Sequence, residues 1–263
     1  MNTTQNAASH EAHIRDQFTR QAAEFAVAPE LHNDEMLTLL VEAAAPGPAH
    51  TTLDVACGPG TIAVAMAKRA RHATGLDATD AMLDQARALA AAQNITNIDW
   101  QKGDVYALPF ADGNFNIVTC RFAFHHFTHP QLALDEMLRV CRPGGTVLVC
   151  DATASDEPEK ANAFNEMERL RDPSTVAFLR LDRLRGLFAT AGLPEPGRVF
   201  FQVPTEREEM VTRAFPANDD FEGLRKMIDD SAEGDRMAMN ARRSGGTVLL
   251  AYQAVILTAT KPG

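Results

Sequence analysis

Residues 51–151 alternate short apolar runs with longer stretches of helical periodicity. The runs cover 52–56, 73–77, 98–101, 116–120 and 146–150, and helical stretches at 62–71, 81–93 and 131–140 separate them. Short apolar runs beside Gly or Asp are typical of buried parallel strands. Strands that alternate with helices predict an α/β fold, in which helices cover both faces of a parallel sheet.

Helical patterns continue on both sides of this core. Two helices are predicted before it, near 10–26 and 33–45, and two after it, at 157–171 and 179–191. Further strands are predicted at 198–203 and 247–260, and residues 206–243 between them have a helical, methionine-containing pattern. The seven strand-like runs predict a mostly parallel seven-stranded sheet with N-terminal helices and an inserted helical lid.

Composition narrows the class of protein. The chain has 263 residues and 45% hydrophobic content, and no apolar run approaches the roughly 18–20 residues of a membrane span. The start is polar and lacks a signal-peptide core, so we expect a cytoplasmic protein without a membrane span. The formal net charge of −10 disfavours nucleic acid as a partner. The four cysteines form no CxxC pair and therefore predict neither a zinc site nor a disulfide framework.

A glycine-rich turn is the strongest chemical signal. Residues 53–60 read Leu-Asp-Val-Ala-Cys-Gly-Pro-Gly and lead directly into a predicted helix. Gly58 and Gly60 allow a sharp turn and a close approach of backbone to ligand, and the helix start offers N–H groups. Asp77 follows Gly60 by 17 residues at the end of the next strand, where an acid typically binds ribose hydroxyls. An adenosine-type ligand is predicted.

Asp54 discriminates between adenosine cofactors. Gly58, Gly60 and Ala63 also fit the dinucleotide pattern GxGxxA. A carboxylate at ~5 Å from a pyrophosphate, at an effective dielectric of ~20, costs about 3 kcal/mol. S-adenosylmethionine has no phosphate, and its α-ammonium attracts a carboxylate. The charge pattern therefore favours the methyl donor over NAD or FAD; a solvated or helix-capping Asp54 is the alternative.

Four ordered motifs carry a resemblance to a known family. They are the glycine turn at 53–60, Gly-Leu-Asp at 75–77 with Met82-Leu83, Gly-Asp-Val at 103–105 with Leu-Pro-Phe at 108–110, and Arg-Pro-Gly-Gly at 142–145. In these motifs the chain resembles the class I S-adenosylmethionine-dependent methyltransferases, most closely the UbiE-like (methyltransferase type 11) group. The resemblance covers roughly residues 18–151 and specifies fold and cofactor better than substrate.

The resemblance implies a Rossmann-like class I methyltransferase fold and roles for individual residues. The methionine end of the cofactor would lie against Asp54, Ala56, Gly58 and Gly60, the ribose against Asp77, and the adenine against Ala78, Met82, Asp104 and Val105. The full set expected to contact cofactor is Phe18, Phe25, Asp54, Ala56, Cys57, Gly58, Gly60, Asp77, Ala78, Met82, Gly103, Asp104, Val105 and Cys120. Many family members have Gly in place of Ala56, and Phe25 stands where the family's N-terminal element has Tyr. A plain core stripe is the alternative for Phe18 and Phe25.

Domain organisation follows from the same resemblance. We expect residues 1–263 to form a single methyltransferase domain, with a cofactor-binding core at about 46–152. Cover or lid elements are expected at about 1–45, 157–178 and 206–243. Met167, Met210, Met227, Met237 and Met239 offer adaptable apolar surface for a substrate, or are ordinary core residues.

The fourth strand runs into the segment expected to face the reacting methyl group. His126 is the first candidate for a base, and neighbouring His125 the second. Arg121 could hold the donor's carboxylate or an acidic acceptor. Alternatives are a packing histidine and a structural ion pair. Methyl transfer needs chiefly in-line orientation and exclusion of water, and a base only where the acceptor loses a proton.

The sequence therefore predicts transfer of a methyl group to a small organic acceptor by in-line displacement, with S-adenosylhomocysteine as product. Whether carbon, nitrogen or oxygen is methylated stays open, as does a homodimer. Two other functions are kept: a nicotinamide-dependent oxidoreductase and a non-catalytic S-adenosylmethionine-binding protein. No metal is expected, because the adjacent His125 and His126 lack a carboxylate at metal-site spacing.

Overall fold

A computed structural model of the chain describes residues 17–19, 22 and 34–263. The helices are α1 (Asp34–Ala44), α2 (Thr61–Ala67), α3 (Asp80–Ala92), α4 (Pro130–Val140), α5 (Pro158–Arg171), α6 (Leu181–Thr190), α7 (Arg207–Thr212) and α8 (Phe221–Ser231). The strands are β1 (Thr51–Val55), β2 (His72–Asp77), β3 (Ile98–Lys102), β4 (Phe115–Arg121), β5 (Cys141–Ala152), β6 (Gly197–Glu206), β7 (Arg242–Ser244) and β8 (Thr247–Thr260). Short 3-10 turns span Phe124–His126 and Ala217–Asp219.

The strands form one open sheet in the order β3-β2-β1-β4-β5-β8-β6, with β7 paired to β8. Neighbouring strands among β1 to β5 are parallel, whereas β8 runs antiparallel to β5, β6 and β7. The predicted mostly parallel sheet is confirmed, and the short β7 adds an eighth strand. The strand order reverses beside β1, which is where open α/β sheets bind ligands, beyond the carboxyl ends of the strands.

Helices cover both faces of this sheet, as the alternating pattern predicted. On one face, α4 and α6 pack Leu134, Met137 and Phe188 against the central strands. On the other face, α1 and α2 contribute Leu40 and Ile62. Coverage on both faces leaves β1 and β4 buried at nearly every position, including polar residues such as Asp54 and Thr119.

The segments 157–178 and 206–243, predicted as lid elements, share an apolar core of their own. Phe164 of α5, Leu224 of α8 and the side chains of Met167, Met210, Met237 and Met239 are buried together, with Met227 packed against them. None of these methionines lines the cavity described below. The alternative interpretation of the methionines, as ordinary core residues, is therefore the correct one, because the lid buries them against its own helices.

Residues 206–243 are less helical than the pattern predicted. Helix α8 ends at Ser231, and the chain then turns around Asp235, whose carboxylate accepts the backbone amides of Met239, Asn240 and Ala241. A short acidic side chain that bonds nearby amides competes with the helix for those donors. The predicted helix at 62–71 likewise ends early, at Ala67, where the Asn97 amide caps the free carbonyls of Ala67 and Ala70.

Candidate active site

A cavity of about 420 Å³ opens at the carboxyl ends of β1, β2 and β4. Of the predicted site residues it is lined by Phe18, Asp54, Ala56, Cys57, Gly58, Asp77, Ala78, Met82, Gly103, Asp104, Val105, Arg121 and His126. Residues from three of the four ordered motifs therefore meet at one place, together with the segment after β4, whereas the motif at 142–145 does not line the cavity. Tyr106, Phe122, Phe127 and Thr128 also line the cavity and were not predicted, although Phe122 and Phe127 lie in the segment after β4 that was expected to face the methyl group.

The glycine turn connects β1 to α2 through left-handed backbone. Ala56, Gly58 and Gly60 all have positive φ, at 54°, 51° and 84°. Ala56 thus occupies a conformation that costs an L residue about 1–2 kcal/mol, which is a physical reason for Gly at this place in related proteins. Gly58 lines the cavity, and a Cβ there would meet no atom within 4 Å.

Gly60 has a different neighbour. It does not line the cavity, and a Cβ on it would lie 2.6 Å from the Trp100 ring and 2.8 Å from Ala86. The absence of a side chain at Gly60 is therefore required by packing between α2, α3 and β3. We had expected a close approach to ligand here; the cavity lining supports that expectation for Gly58 and not for Gly60.

Asp54 is buried at the floor of the cavity. It lies opposite Thr119 in the β1–β4 register, and the Thr119 hydroxyl donates to Asp54 Oδ1 at 2.9 Å. Burial raises the pKa of Asp54 to about 7, although the Thr119 hydrogen bond and the Arg121 charge lower it in part. A buried carboxyl that is costly to ionise gains most from a cationic ligand, and a phosphate would be repelled. The Asp54 carboxylate therefore fits the α-ammonium of S-adenosylmethionine.

Asp77 ends β2 and supports the glycine turn directly. Its Oδ2 accepts the Gly58 amide at 2.9 Å, while Oδ1 accepts both the amide and the hydroxyl of Thr79 at 3.0 Å. Burial raises the pKa of Asp77, and these hydrogen bonds oppose the rise. A carboxylate has about four lone-pair positions. Gly58 and Thr79 use three of them and the Ala78 amide also hydrogen-bonds the carboxylate, while Asp77 lines the cavity where a ribose hydroxyl is expected.

The part of the cavity predicted to hold adenine is formed by the start of α3 and by the loop that follows β3. Thr79 caps α3 by accepting the Met82 amide, which fixes Ala78 and Met82 at the cavity wall. Asp104 is exposed and accepts the Tyr106 amide at 2.9 Å through Oδ1. Its second oxygen suits the predicted role of accepting from an adenine amino group.

His126 lies in the 3-10 turn after β4 and is buried. Its ring contacts Phe18 edge-on at a centroid distance of 4.9 Å, and its Nδ1 lies 3.1 Å from both the carbonyl and the hydroxyl oxygen of Ser174. Burial, reinforced by the neighbouring His125, lowers the pKa of His126 to about 3 despite the opposing charge of Asp172. The ring is therefore neutral at physiological pH and retains one lone pair.

Three predicted site residues do not line the cavity: Gly60, His125 and Cys120. His125 turns away and pairs its Nδ1 with Asp151 Oδ1 at 2.8 Å. Cys120 is fully buried within β4, where its side chain belongs to the apolar core. Alternate residues along a strand point to opposite faces, so Cys120 points away from the side that Thr119 and Arg121 face. Phe25 lies outside the described residues.

Arg121 ends β4 beside the cavity and is largely buried. Its guanidinium donates to the Thr61 hydroxyl at 2.8 Å, at the start of α2. The first amides of α2 have no partner within the helix, and that of Ala63 hydrogen-bonds Asp54, so a carboxylate placed at the helix start meets the remaining amides and Arg121. This geometry favours the donor's carboxylate over an acidic acceptor as the partner of Arg121.

The described residues were also compared with what membrane proteins and metalloproteins require. No helix there is both long and apolar enough to cross a membrane. No group of three His, Cys, Asp or Glu side chains in the same part of the chain is arranged to hold a metal ion.

Comparison with known proteins agrees with this geometry. Residues 52–145 match the family model described as a methyltransferase domain. The chain is 27% identical over 246 residues to an uncharacterized methyltransferase, YcgJ, of Bacillus subtilis, covering 90% of this chain and 97% of YcgJ. It is also 42% identical over 124 residues to the ubiquinone/menaquinone biosynthesis C-methyltransferase UbiE of Roseobacter denitrificans. This match covers 46% of this chain and 50% of that enzyme.

Solved structures show the same relationship. The crystal structure of YcgJ superposes with a TM-score of 0.80 and 26% identity, covering 86% of this chain and 98% of YcgJ. A putative methyltransferase from Bacillus halodurans gives a TM-score of 0.80 and 26% identity over 86% of this chain and 99% of that protein. The nicotinamide oxidoreductase alternative finds no support in these matches. Together these matches support a class I S-adenosylmethionine-dependent methyltransferase of UbiE-like type, an enzyme with S-adenosylmethionine as its cofactor.

Proposed function

We propose that this enzyme methylates a small organic acceptor by in-line displacement, with His126 receiving the proton that the acceptor loses. The observation that carries the proposal is that the buried Asp54 and the buried, neutral His126 line one cavity. One residue suits the cationic end of the cofactor and the other suits a proton-donating acceptor. We also propose that residues 1–263 form one domain, with the core and cover elements predicted above.

Each residue has a defined task in this proposal. Asp54 binds the α-ammonium, Arg121 the carboxylate and Asp77 a ribose hydroxyl, which together fix the orientation of the cofactor. When bound, S-adenosylmethionine supplies a methyl group on a sulfonium, from which it is transferred by displacement. The chain therefore contributes orientation and exclusion of water more than covalent chemistry.

The low pKa of His126 is compatible with this role. A base of low pKa takes few protons from a resting hydroxyl or amine. As the bond to the methyl carbon forms, however, the proton on the attacking atom becomes strongly acidic, and a neutral imidazole accepts it. A methylated hydroxyl or ring carbon passes through such an acidic stage, whereas a methylated alkylamine is only weakly acidic, so a base of this pKa fits oxygen and carbon acceptors better than alkylamines.

The non-catalytic alternative would require a blocked acceptor side. The cavity instead extends from the Asp77 side to Phe18 and His126, and aromatic side chains including Phe122 and Phe127 line it. These walls suit an apolar or aromatic acceptor. Membership of the UbiE-like group supports a small molecule as acceptor.

A metabolite screen with a methyl-labelled donor tests the proposal. The wild-type protein is incubated with radiolabelled S-adenosylmethionine and pooled small metabolites, and labelled products are separated by mass. Transfer to a low-mass product is expected, with turnover in His126→Gln lower by about 10²–10⁴-fold and unchanged affinity for S-adenosylhomocysteine. His72→Gln is the matched control, since His72 lies at the opposite end of β2 and pairs with Asp99. Label found only on macromolecules would contradict the proposal.

A further inference from the structure

The segment between α5 and α6 lies directly against the two histidines. The amides of Val176 and Ala177 donate to the His125 carbonyl at 2.9 and 3.1 Å. The Phe178 ring stacks on the His125 ring at a centroid distance of 4.0 Å and an interplanar angle of 14°. These contacts hold the segment in register with the histidine turn, so that residues 172–174 have a defined position beside His126.

Ser174 presents two oxygens to one nitrogen of His126. Both its carbonyl and its hydroxyl oxygen lie 3.1 Å from Nδ1, and Ser174 is completely buried. A carbonyl oxygen can only accept a hydrogen bond. The carbonyl contact therefore favours the tautomer of the neutral ring that carries its proton on Nδ1.

The hydroxyl of Ser174 is also oriented to accept a hydrogen bond from His126 Nδ1. Its oxygen lies 2.5 Å from Asp172 Oδ1, and the Ser174 amide donates to the same atom at 2.9 Å. Burial disfavours the charge on Asp172, but His126 in its protonated form, Arg171 and the Ser174 hydrogen bonds hold its pKa below the ordinary value. An ionised carboxylate only accepts, so the single hydroxyl proton points to Asp172 and the oxygen lone pairs point to Nδ1.

We propose that Asp172 is a positioning residue that acts through Ser174 to hold His126 in the Nδ1-protonated tautomer. The lone pair of the ring is then on Nε2, at the edge of the ring away from Ser174. His126 lines the cavity and Ser174 does not, which supports an Nε2 edge that faces the cavity. The inference rests on the proposed function, in which His126 receives the acceptor's proton, and it restricts that function to acceptors whose reacting group carries a proton to donate.

The charge of Asp172 has a second effect. A proton that arrives on Nε2 makes the ring cationic in a buried site, which is costly without a counter-charge. Asp172 supplies that charge through one intervening hydroxyl, in the way that an acid orients and stabilises a catalytic imidazole elsewhere. His125 has its own acid, Asp151, so each of the two adjacent histidines is paired with a different carboxylate.

Nitrogen-15 NMR of histidine-labelled protein tests the tautomer directly and needs no acceptor. The full chain is saturated with S-adenosylhomocysteine at neutral pH, and the ring signals of the eight histidines are recorded. The His126 signal is identified as the one absent from His126→Gln. The expected pattern is a protonated Nδ1 and an unprotonated Nε2. A His126 ring protonated on Nε2 in the wild-type protein would overturn the proposal.

Variants test the route through Ser174. In Asp172→Ala the serine proton is released to Nδ1, so the Nε2-protonated fraction should rise from near zero to a readily measured share. Asp172→Asn keeps an acceptor oxygen and should retain the wild-type tautomer. Ser174→Ala keeps the carbonyl contact and should also retain it, and adding Asp172→Ala to Ser174→Ala should change nothing further. An equal shift in both backgrounds would show that Asp172 does not act through Ser174.

The tautomer and the catalytic role can fail separately. If His126 has the expected tautomer but His126→Gln turns over normally, the proposed base is wrong and the positioning array stands as a structural feature. If His126→Gln is inactive but the ring is protonated on Nε2, the base stands and the role of Asp172 is wrong. Once an acceptor is known, Asp172→Ala should lower kcat and leave KM nearly unchanged.

Discussion

Asp77 Oδ2 accepts the backbone amide of Gly58 at 2.9 Å, so the acid at the end of β2 holds the glycine turn that follows β1. The turn and the proposed ribose site are therefore joined by this hydrogen bond. A ligand that binds Asp77 also meets a loop whose conformation depends on Asp77, and this coupling determines what a substitution at Asp77 will do.

Replacing Asp77 with Ala should weaken S-adenosylhomocysteine binding by about 1–3 kcal/mol, because a ribose hydrogen bond and the support of Gly58 are both lost. The unliganded protein should also lose stability, since the Gly58 and Thr79 amides lose their acceptor. Calorimetric titration and urea unfolding measure the two effects. Asp77→Asn keeps one acceptor oxygen and should give smaller losses in both. Unchanged affinity in Asp77→Ala would show that the ribose lies elsewhere.

The affinity for S-adenosylhomocysteine should depend on pH through Asp54. Burial raises the pKa of Asp54 to about 7, with Arg121 lowering it and Asp77 raising it. As pH rises through this value the carboxyl ionises and attracts the ligand's ammonium, so affinity should increase. It should fall again at higher pH, where the α-amino group of the ligand loses its proton. Calorimetry across pH 5–9 measures the dependence of affinity on pH. Asp54→Asn is the control, because it should lack the rise in affinity that accompanies ionisation of Asp54.

Arg121 should recognise the carboxylate of the cofactor. Arg121→Met should weaken S-adenosylhomocysteine binding by about 1–3 kcal/mol, the range for a hydrogen bond to a charged group. Binding of 5′-methylthioadenosine, which lacks the amino-acid tail, should be nearly unchanged. Arg142→Met is a suitable control, since Arg142 is exposed on β5. An equal loss for both ligands would mean that Arg121 has only a structural role.

The two glycines of the turn should fail in different ways. Both Gly58→Ala and Gly60→Ala place an L residue at positive φ, which costs about 1–2 kcal/mol. Gly60→Ala should cost a further ~1–3 kcal/mol, because its Cβ overlaps Trp100 and Ala86. Urea unfolding should rank Gly60→Ala as the less stable variant. Cofactor titration should rank Gly58→Ala as the weaker binder, because only Gly58 lines the cavity.

His126 should make the folded protein sensitive to acid. Its pKa is lowered to about 3 in a setting that also contains His125, Arg171 and Asp172. An unfolded chain binds a proton at a histidine pKa near 6.5, so acidification below that value favours the unfolded state. The contribution approaches 1.4 kcal/mol per pH unit between about 6.5 and 3. His126→Asn should flatten the dependence of unfolding free energy on pH in this window. Parallel curves for the two proteins would refute the assignment.

Sequence patterns predicted this fold well where the signal was local. Buried strands of four to eight residues and a strand-turn-helix motif are specified by neighbours in the chain, so the β1 turn, Asp54 and Asp77 could be found without a structure. The prediction was weaker at 206–243, where the Asp235 carboxylate takes backbone amides that a helix would need.

By itself the sequence determined the alternation of strands and helices in the core, the cofactor class and the turn expected to hold the cofactor, because each depends on residues close in the chain and on the charge of Asp54. Only the tertiary structure decided that Gly60 leaves room for the Trp100 ring and that Cys120 and His125 do not line the cavity. It also decided that Ser174 contacts His126, which lies 48 residues earlier in the sequence. The physical reason is that hydrogen bonds and close packing act over a few ångströms, and distant segments reach that range only when the whole chain has folded.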